Sequence, residues 1–238
     1  MFRATFCSLT LVALLGSAPC RADEVSDPLE SWNRAIFGFN TIAYDSAVKP
    51  LADLYRRALP VEVRRSVGNF VSNLKLPVVM ANEVLQGEFK QADGTFRRFA
   101  INSTIGYLGL TDPATAFGLP RHQEDFGQTL ARYGVPAGPY LVLPLLGPSN
   151  VRDAVGRFGD YLMLDSYLDT EATVAVLGAS GLGESERNLA AMADVASSSL
   201  DPYASLRSAY DQWRSADIAN GEKVVGDPSY DDLFREQP

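Results

Sequence analysis

The sequence predicts a mainly α-helical protein, a compact multi-helix single domain with very little strand. Three observations carry that expectation. Apolar residues recur at helical spacing in segment after segment from Asp27 onward. Helix starts are signalled at Asp27-Pro28, Asn150 and Asp201-Pro202, and a stop at Gln86-Gly87. Only Tyr140–Leu143 has the β-favouring composition of a strand. No internal repeat or heptad array is visible.

At 238 residues the chain is long enough to bury a core, and its apolar fraction of 46% is ordinary. The net charge of −8 argues against nucleic acid as a partner, which would want a basic face. It argues equally against loose adsorption onto an anionic lipid surface. Contact with a membrane would run through apolar surface or a covalent lipid.

The amino terminus reads as a signal segment over residues 1–22. Arg3 supplies its charge, Phe6–Leu15 its apolar run, and Ser17–Ala22 a small-residue cleavage zone. Two endings compete: cleavage after Ala22, or lipidation of Cys20 as the first mature residue. Pro19 directly before Cys20 departs from the usual lipoprotein signal and weighs toward plain cleavage. Cys7 and Cys20 are the only cysteines, so the mature body has no disulfide or thiolate site. Loss of the leader removes two of 21 basic residues and none of the 29 acidic ones, giving −10. No later apolar run approaches the length of a spanning helix.

Residues 23–26 form a short acidic linker. A helical domain over 27–222 then opens with Asp27 as N-cap, Pro28 at the first helical position and Glu30 behind it. Leu29, Trp32, Ile36, Phe37 and Phe39 wrap more than one face of that helix, so it is either buried or in contact with lipid. Val67, Phe70, Val71 and Leu74 form one stripe over Arg64–Leu74. Pro77 is expected to break it and open a second helix through Leu85, closed by Gly87. A helix over Phe89–Tyr107 sets Phe89, Ala92, Phe96, Phe99 and Ala100 against Lys90, Asp93 and Arg97. Asn102–Gly106 and Asp112–Ala114 return the chain to loop. Beyond Asn150, Val151, Ala154, Val155, Phe158 and Leu162 form a stripe opposite Arg152, Asp153, Arg157 and Asp160. Gly178, Gly181 and Gly183 mark a turn, Glu184–Ser199 a helix, and Asp201-Pro202 a last helix with Tyr203, Leu206, Tyr210 and Trp213 on one seam. Residues 223–238 form an acidic tail of disordered composition.

Between Phe126 and Asp153 the chain is apolar through its second half, yet is broken by Gly127, Gly134, Pro136, Gly138, Pro139, Pro144, Gly147 and Pro148. No long helix can run through it. It is either a core strand at Tyr140–Leu143 between turns, or irregular backbone lining a protected space.

Catalytic chemistry is not indicated. His122 is the single histidine and has no second histidine, cysteine or recognised motif to complete an enzyme or metal site. The pairs Asp231/Asp232 and Glu184/Glu186 read as solvating carboxylates. No catalytic residue, metal or cofactor is expected. Asn33, Asn40, Asn69, Asn73, Asn82 and Asn102 lie among apolar residues, where each amide needs a hydrogen-bond partner. They either bond backbone where helices end or line a polar path.

Several motifs carry a resemblance. Asp27–Glu30 with Asn33-Arg34 and Phe39-Asn40; Asn69-Phe70, Asn73-Leu74, Pro77, Asn82 and Leu85–Gly87; Phe126–Leu130, Tyr133–Val135, Gly138–Tyr140, Leu143-Pro144 and Arg152-Asp153; and Asp201–Tyr203 with Ile218–Gly221 all match one pattern. The chain resembles the MlaA/VacJ family of outer-membrane phospholipid-retrieval lipoproteins from about Asp27 to Gly221. The resemblance implies a helical ring on the periplasmic side of the outer membrane. It would remove mislocalised phospholipids from the outer leaflet through a channel and pass them to a periplasmic phospholipid carrier of the Mla pathway, maintaining lipid asymmetry. A trimeric porin is the implied membrane partner. Lipid-channel or hinge residues are then Phe37, Phe39, Asn40, Tyr133, Gly134, Gly138, Pro139, Tyr140, Pro144 and Gly147, with Tyr133–Gly147 opening against the first helix. The alternative is a soluble periplasmic lipid-binding carrier.

Overall fold

A computed structural model describes residues 27–180 and 199–219. Both cysteines, residues 184–198 of the expected late helix and the acidic tail lie outside them. The described chain is helical apart from one hairpin.

Helix α1 spans Glu30–Ala43 and runs through a π-helical turn, Tyr44–Val48, into α2, Lys49–Ala58. Asp27 does not cap α1, which begins without a side-chain cap. Its buried carboxylate instead accepts from Asn33 at 2.8 Å, Arg207 at 3.2 Å and the Tyr203 hydroxyl. Three tertiary donors outweigh one local cap.

Helix α3, Val61–Leu85, passes through Pro77 without a break. Proline forfeits one backbone hydrogen bond. The packing of α3 against α4 (Phe89–Thr104), α6 (Phe126–Arg132) and α7 (Val151–Asp165) holds the helix on both sides of that gap. Gly87 closes α3 as expected: its φ is +82°, and the Glu88 N–H reaches back to the Glu83 carbonyl at 2.8 Å.

Helix α4 stops at Thr104, not Tyr107, because Tyr107 and Leu108 turn into the left-handed region with φ of 55° and 60°. Gly109 completes that turn at φ +90°, and a Cβ there would lie 2.5 Å from the Asn73 side chain. Asp112–Ala114 is not loop. Asp112 caps the short α5, Pro113–Ala116, through the Thr115 N–H.

Strand β1, Tyr140–Leu143, forms where the composition placed it and pairs antiparallel with β2, Gly147–Asn150. Tyr140 pairs with Asn150 and Leu143 with Gly147. The turn is Pro144–Leu146, with Leu145 at φ 63°. Asn150 caps α7 as expected, accepting the Asp153 N–H at 2.8 Å. Helix α6 crosses α7 closely, since a Cβ on Gly156 would sit 2.4 Å from the Gly127 nitrogen. A helix over 170–180, α8, includes Gly178, which therefore marks no turn. Helix α9, Pro202–Ile218, begins at the Asp201 cap.

Two apolar clusters hold these parts together. Tyr140, Val142, Tyr203 and Tyr210 pack with Ile36 and Phe37, joining the hairpin to α1 and α9. Val78, Leu164 and Val176 pack with Leu74, Met163 and Leu168, joining α3, α7 and α8.

Candidate functional site

Helices α4 and α7 are inverted relative to a water-soluble bundle. In α7 the apolar stripe exists but faces outward: Val155 is 55% exposed and Phe158 61%, with Val151 and Leu162 also exposed. Arg152 and Asp153, on the opposite face, are buried. In α4 Phe89 and Phe96 point out while Thr95, Arg98 and Asn102 point in. In α9 Trp213 leaves the expected seam for the surface, and Arg214 is buried beside Tyr210. Exposed single apolar residues are ordinary, but contiguous apolar helix faces mark a membrane or partner surface. No described helix is long and apolar enough to cross a membrane.

The interior is correspondingly polar and paired. Arg214 donates to both Asp125 oxygens at 2.7 Å and to the two Asp153 oxygens at 2.8 and 3.0 Å. Asp153 also accepts from Tyr210 at 2.6 Å, Asn150 at 2.7 Å and Arg152 at 3.0 Å. Burial disfavours the charge on Asp125 and Asp153, but Arg214 prevails and holds both below the usual carboxylate range. One guanidinium thus ties α6, α7 and α9. Arg98, 1% exposed, does the same between α4 and α5, with a bidentate grip on Asp112 at 2.7 and 2.8 Å. Burial opposes ionisation of Asp112, but hydrogen bonds from Thr115, Asn102 and Arg98 and the Arg98 charge hold it at about 2.

A third network lies along α3. Glu83 Oε1 accepts from Thr95 at 2.9 Å and lies 3.0 Å from His122 Nδ1. Gln86 donates to Glu124 at 3.0 Å and to Thr129 at 3.2 Å. Thr129 donates to Asn82 at 2.9 Å, and Asn82 donates to Asp160 at 2.9 Å. Burial first, then the charges of Asp125 and Glu83, push Glu124 up to about 7 against the Gln86 hydrogen bond. Burial, with Asp125, pushes Asp160 up to about 6. His122 is thus a partner of a buried carboxylate within this network. Among the described residues no group of three His, Cys, Asp or Glu could hold a metal ion.

Asparagines join α1 to the hairpin. Asn33 donates to the Tyr140 carbonyl at 3.0 Å and accepts the Val142 N–H at 2.9 Å. Asn40, seven residues and two helical turns on, donates to the Leu143 carbonyl at 3.0 Å and accepts the Leu145 N–H at 2.8 Å. The amides satisfy the unpaired edge of β1. They bond backbone, though at a strand edge instead of at helix ends.

The ten expected channel or hinge residues differ in exposure, though Phe37 packs on the cluster that contains Tyr140 and Asn40 bonds the backbone on either side of Pro144. Asn40, Tyr140 and Gly147 are buried, Phe37 and Pro139 half-buried, and Phe39, Tyr133, Gly134, Gly138 and Pro144 exposed. The Tyr140 ring is packed edge-on against Tyr203, with centroids 6.1 Å apart. The seam expected to open, between Phe37–Asn40 and the hairpin, carries the asparagine bonds. Sequence reasoning passed over Arg98, Arg214, Glu83 and Asp125. A signal was available: Thr95, Arg98 and Asn102 recur at helical spacing, as an apolar stripe does.

The sequence pattern of the family described as MlaA lipoprotein matches residues 25–217. The chain belongs to the MlaA lipoprotein family. It is 35% identical over 230 residues to the intermembrane phospholipid transport system lipoprotein MlaA of Escherichia coli K12, covering 93% of this chain and 90% of that one. An uncharacterized protein of Rickettsia bellii is 38% identical over 202 residues, covering 84% and 78%. A solved structure, described as the structural basis for maintenance of bacterial outer membrane lipid asymmetry, superposes with a TM-score of 0.72 at 35% identity, covering 81% of this chain and 99% of that one. The polar interior and apolar exterior thus belong to an MlaA-family fold.

Proposed function

We propose that this chain takes part in intermembrane phospholipid transport. It sits on the periplasmic side of the outer membrane, removes mislocalised phospholipids from the outer leaflet along a polar path, and passes them to a periplasmic phospholipid carrier, so maintaining lipid asymmetry. The observation that carries this reading is the inversion of α4 and α7: charged and amide groups inside, exposed aliphatic and aromatic faces outside. Apolar faces at the surface suit acyl chains, and a polar interior offers headgroups hydrogen-bonding partners that hydrocarbon lacks. The reading needs no chemical step and invokes no catalytic residue.

A soluble carrier is the less favoured reading. It would enclose acyl chains by turning apolar faces inward, the opposite of α4 and α7. A trimeric porin is the membrane partner proposed for the apolar exterior. Of the channel and hinge set, Phe39, Tyr133, Gly134, Gly138 and Pro144 are the exposed positions proposed to meet lipid. The hairpin is proposed to travel with α1 as one body, because Asn33 and Asn40 bond across their seam. Flotation of the purified full chain with phospholipid vesicles tests membrane seating: co-flotation is expected, and a protein that stays wholly in the aqueous fraction contradicts it.

A further inference from the structure

Helix α2 has no buried residue. Leu51, Leu54, Tyr55 and Ala58 form its apolar stripe at i, i+3, i+4 and i+7, and all four are exposed. The polar side carries Lys49, Asp53, Arg56 and Arg57. Such a helix, amphipathic and uncovered, has the character of one lying in a membrane interface.

On the boundary between its two faces runs an open groove of about 630 Å³, lined by Asp45, Lys49, Pro50, Asp53, Leu54 and Arg57. Its four charges alternate in sign at four-residue intervals: Asp45, Lys49, Asp53, Arg57. That spacing on a regular helix closes into ion pairs. Here it does not: Asp53 meets Arg56 at 3.5 Å, and none of the four pairs with another. The π-helical turn Tyr44–Val48, in which the Lys49 N–H bonds the Tyr44 carbonyl, contains Asp45 and changes its register relative to Lys49 on the regular helix that follows. Single π-helical turns are frequent at functional sites.

We infer that this groove is a headgroup site for a zwitterionic phospholipid bearing both a phosphate and a primary ammonium. Lys49 and Arg57 take the phosphate oxygens, Asp45 and Asp53 accept from the ammonium, and Pro50 and Leu54 meet the glycerol and first acyl carbons. Two cations and two carboxylates match a headgroup of no net charge, and the apolar stripe beside them continues toward the acyl chains. A quaternary ammonium has no N–H to give the carboxylates, and a glycerol headgroup has no cation. The inference deepens the transport reading and rests on it.

Vesicle flotation of the full chain tests both separately, using phosphatidylcholine vesicles alone or enriched with phosphatidylethanolamine or phosphatidylglycerol. Binding about fivefold tighter with phosphatidylethanolamine is expected, on the scale of two exposed charge contacts. Asp45→Asn with Asp53→Asn should reduce that preference to the phosphatidylcholine level, and Lys49→Gln with Arg57→Gln should weaken binding to every vesicle. None of these residues is buried, so the variants keep the fold. Equal binding to all three vesicles overturns the headgroup site while leaving membrane seating intact. Failure to bind any vesicle overturns the transport reading itself. Displacement of the preferred vesicle by inorganic phosphate alone would show a simple anion site and also overturn the inference.

Discussion

Asn33 and Val142 meet through a 2.9 Å hydrogen bond between the asparagine Oδ1 and the strand's N–H, while the other end of the same amide donates to the Tyr140 carbonyl. An α-helix thereby supplies the missing neighbour of a two-stranded sheet, whose edge would otherwise leave buried backbone groups unpaired.

Replacing Asn33 with Ala is expected to cost about 2–4 kcal/mol, because two backbone groups lose their partner inside the protein. Asn40→Ala should cost less, since Leu143 and Leu145 lie nearer the open turn. Amide hydrogen exchange checks the assignment: Val142 should lose protection in the first variant and Leu145 in the second.

Arg214 compensates two buried carboxylates at once. Arg214→Met leaves Asp125 and Asp153 without their cation and is expected to destabilise the protein by about 3–5 kcal/mol. Arg214→Lys, which keeps the charge but loses the fork, should fall between. Denaturant unfolding of the three proteins reads the order.

These two predictions rest on features of unequal legibility. Helices α7 and α9, the Asn150 cap, the Gly87 stop and strand Tyr140–Leu143 are local, and their chemistry was visible in adjacent residues. Asp27 was misread because its three acceptor contacts come mainly from residues more than 170 positions away, which no local pattern shows. Pro77 was misread because packing on α4 and α7 outweighs one lost backbone bond. The inward turn of Arg98 and Arg214 was not legible locally, because the carboxylates that hold them, Asp112, Asp125 and Asp153, lie on other elements.

Stability should fall as pH rises from the acid side toward neutrality. Glu124 goes from an ordinary 4.5 to about 7, and Asp160 from 3.8 to about 6, so the folded state keeps protons that the unfolded chain has released. The loss runs from about pH 4 to 7 and amounts to about 3 kcal/mol for Glu124 at the pKa shift stated. Glu124→Gln should flatten the profile above pH 6. Below pH 4 the sign reverses: Asp112, held at about 2, gives up its contribution as it is protonated. Unfolding midpoints across this range check the slopes.

Cys20→Ala tests the anchor. The apolar faces alone are expected to retain an exported variant in the membrane fraction, with or without a lipid on Cys20. Adding Val155→Asp and Phe158→Asp should release it, because both side chains face outward and neither holds the interior. Release by Cys20→Ala alone would show that the covalent lipid is the anchor.

The central claim is tested most directly by outer-leaflet phospholipid in intact cells, measured with a membrane-impermeant headgroup label. Cells lacking the protein should accumulate surface phospholipid, and the full chain should restore the low level. An unchanged surface level in the deletion, when the parent cells produce the protein and hold it at the membrane, contradicts the account.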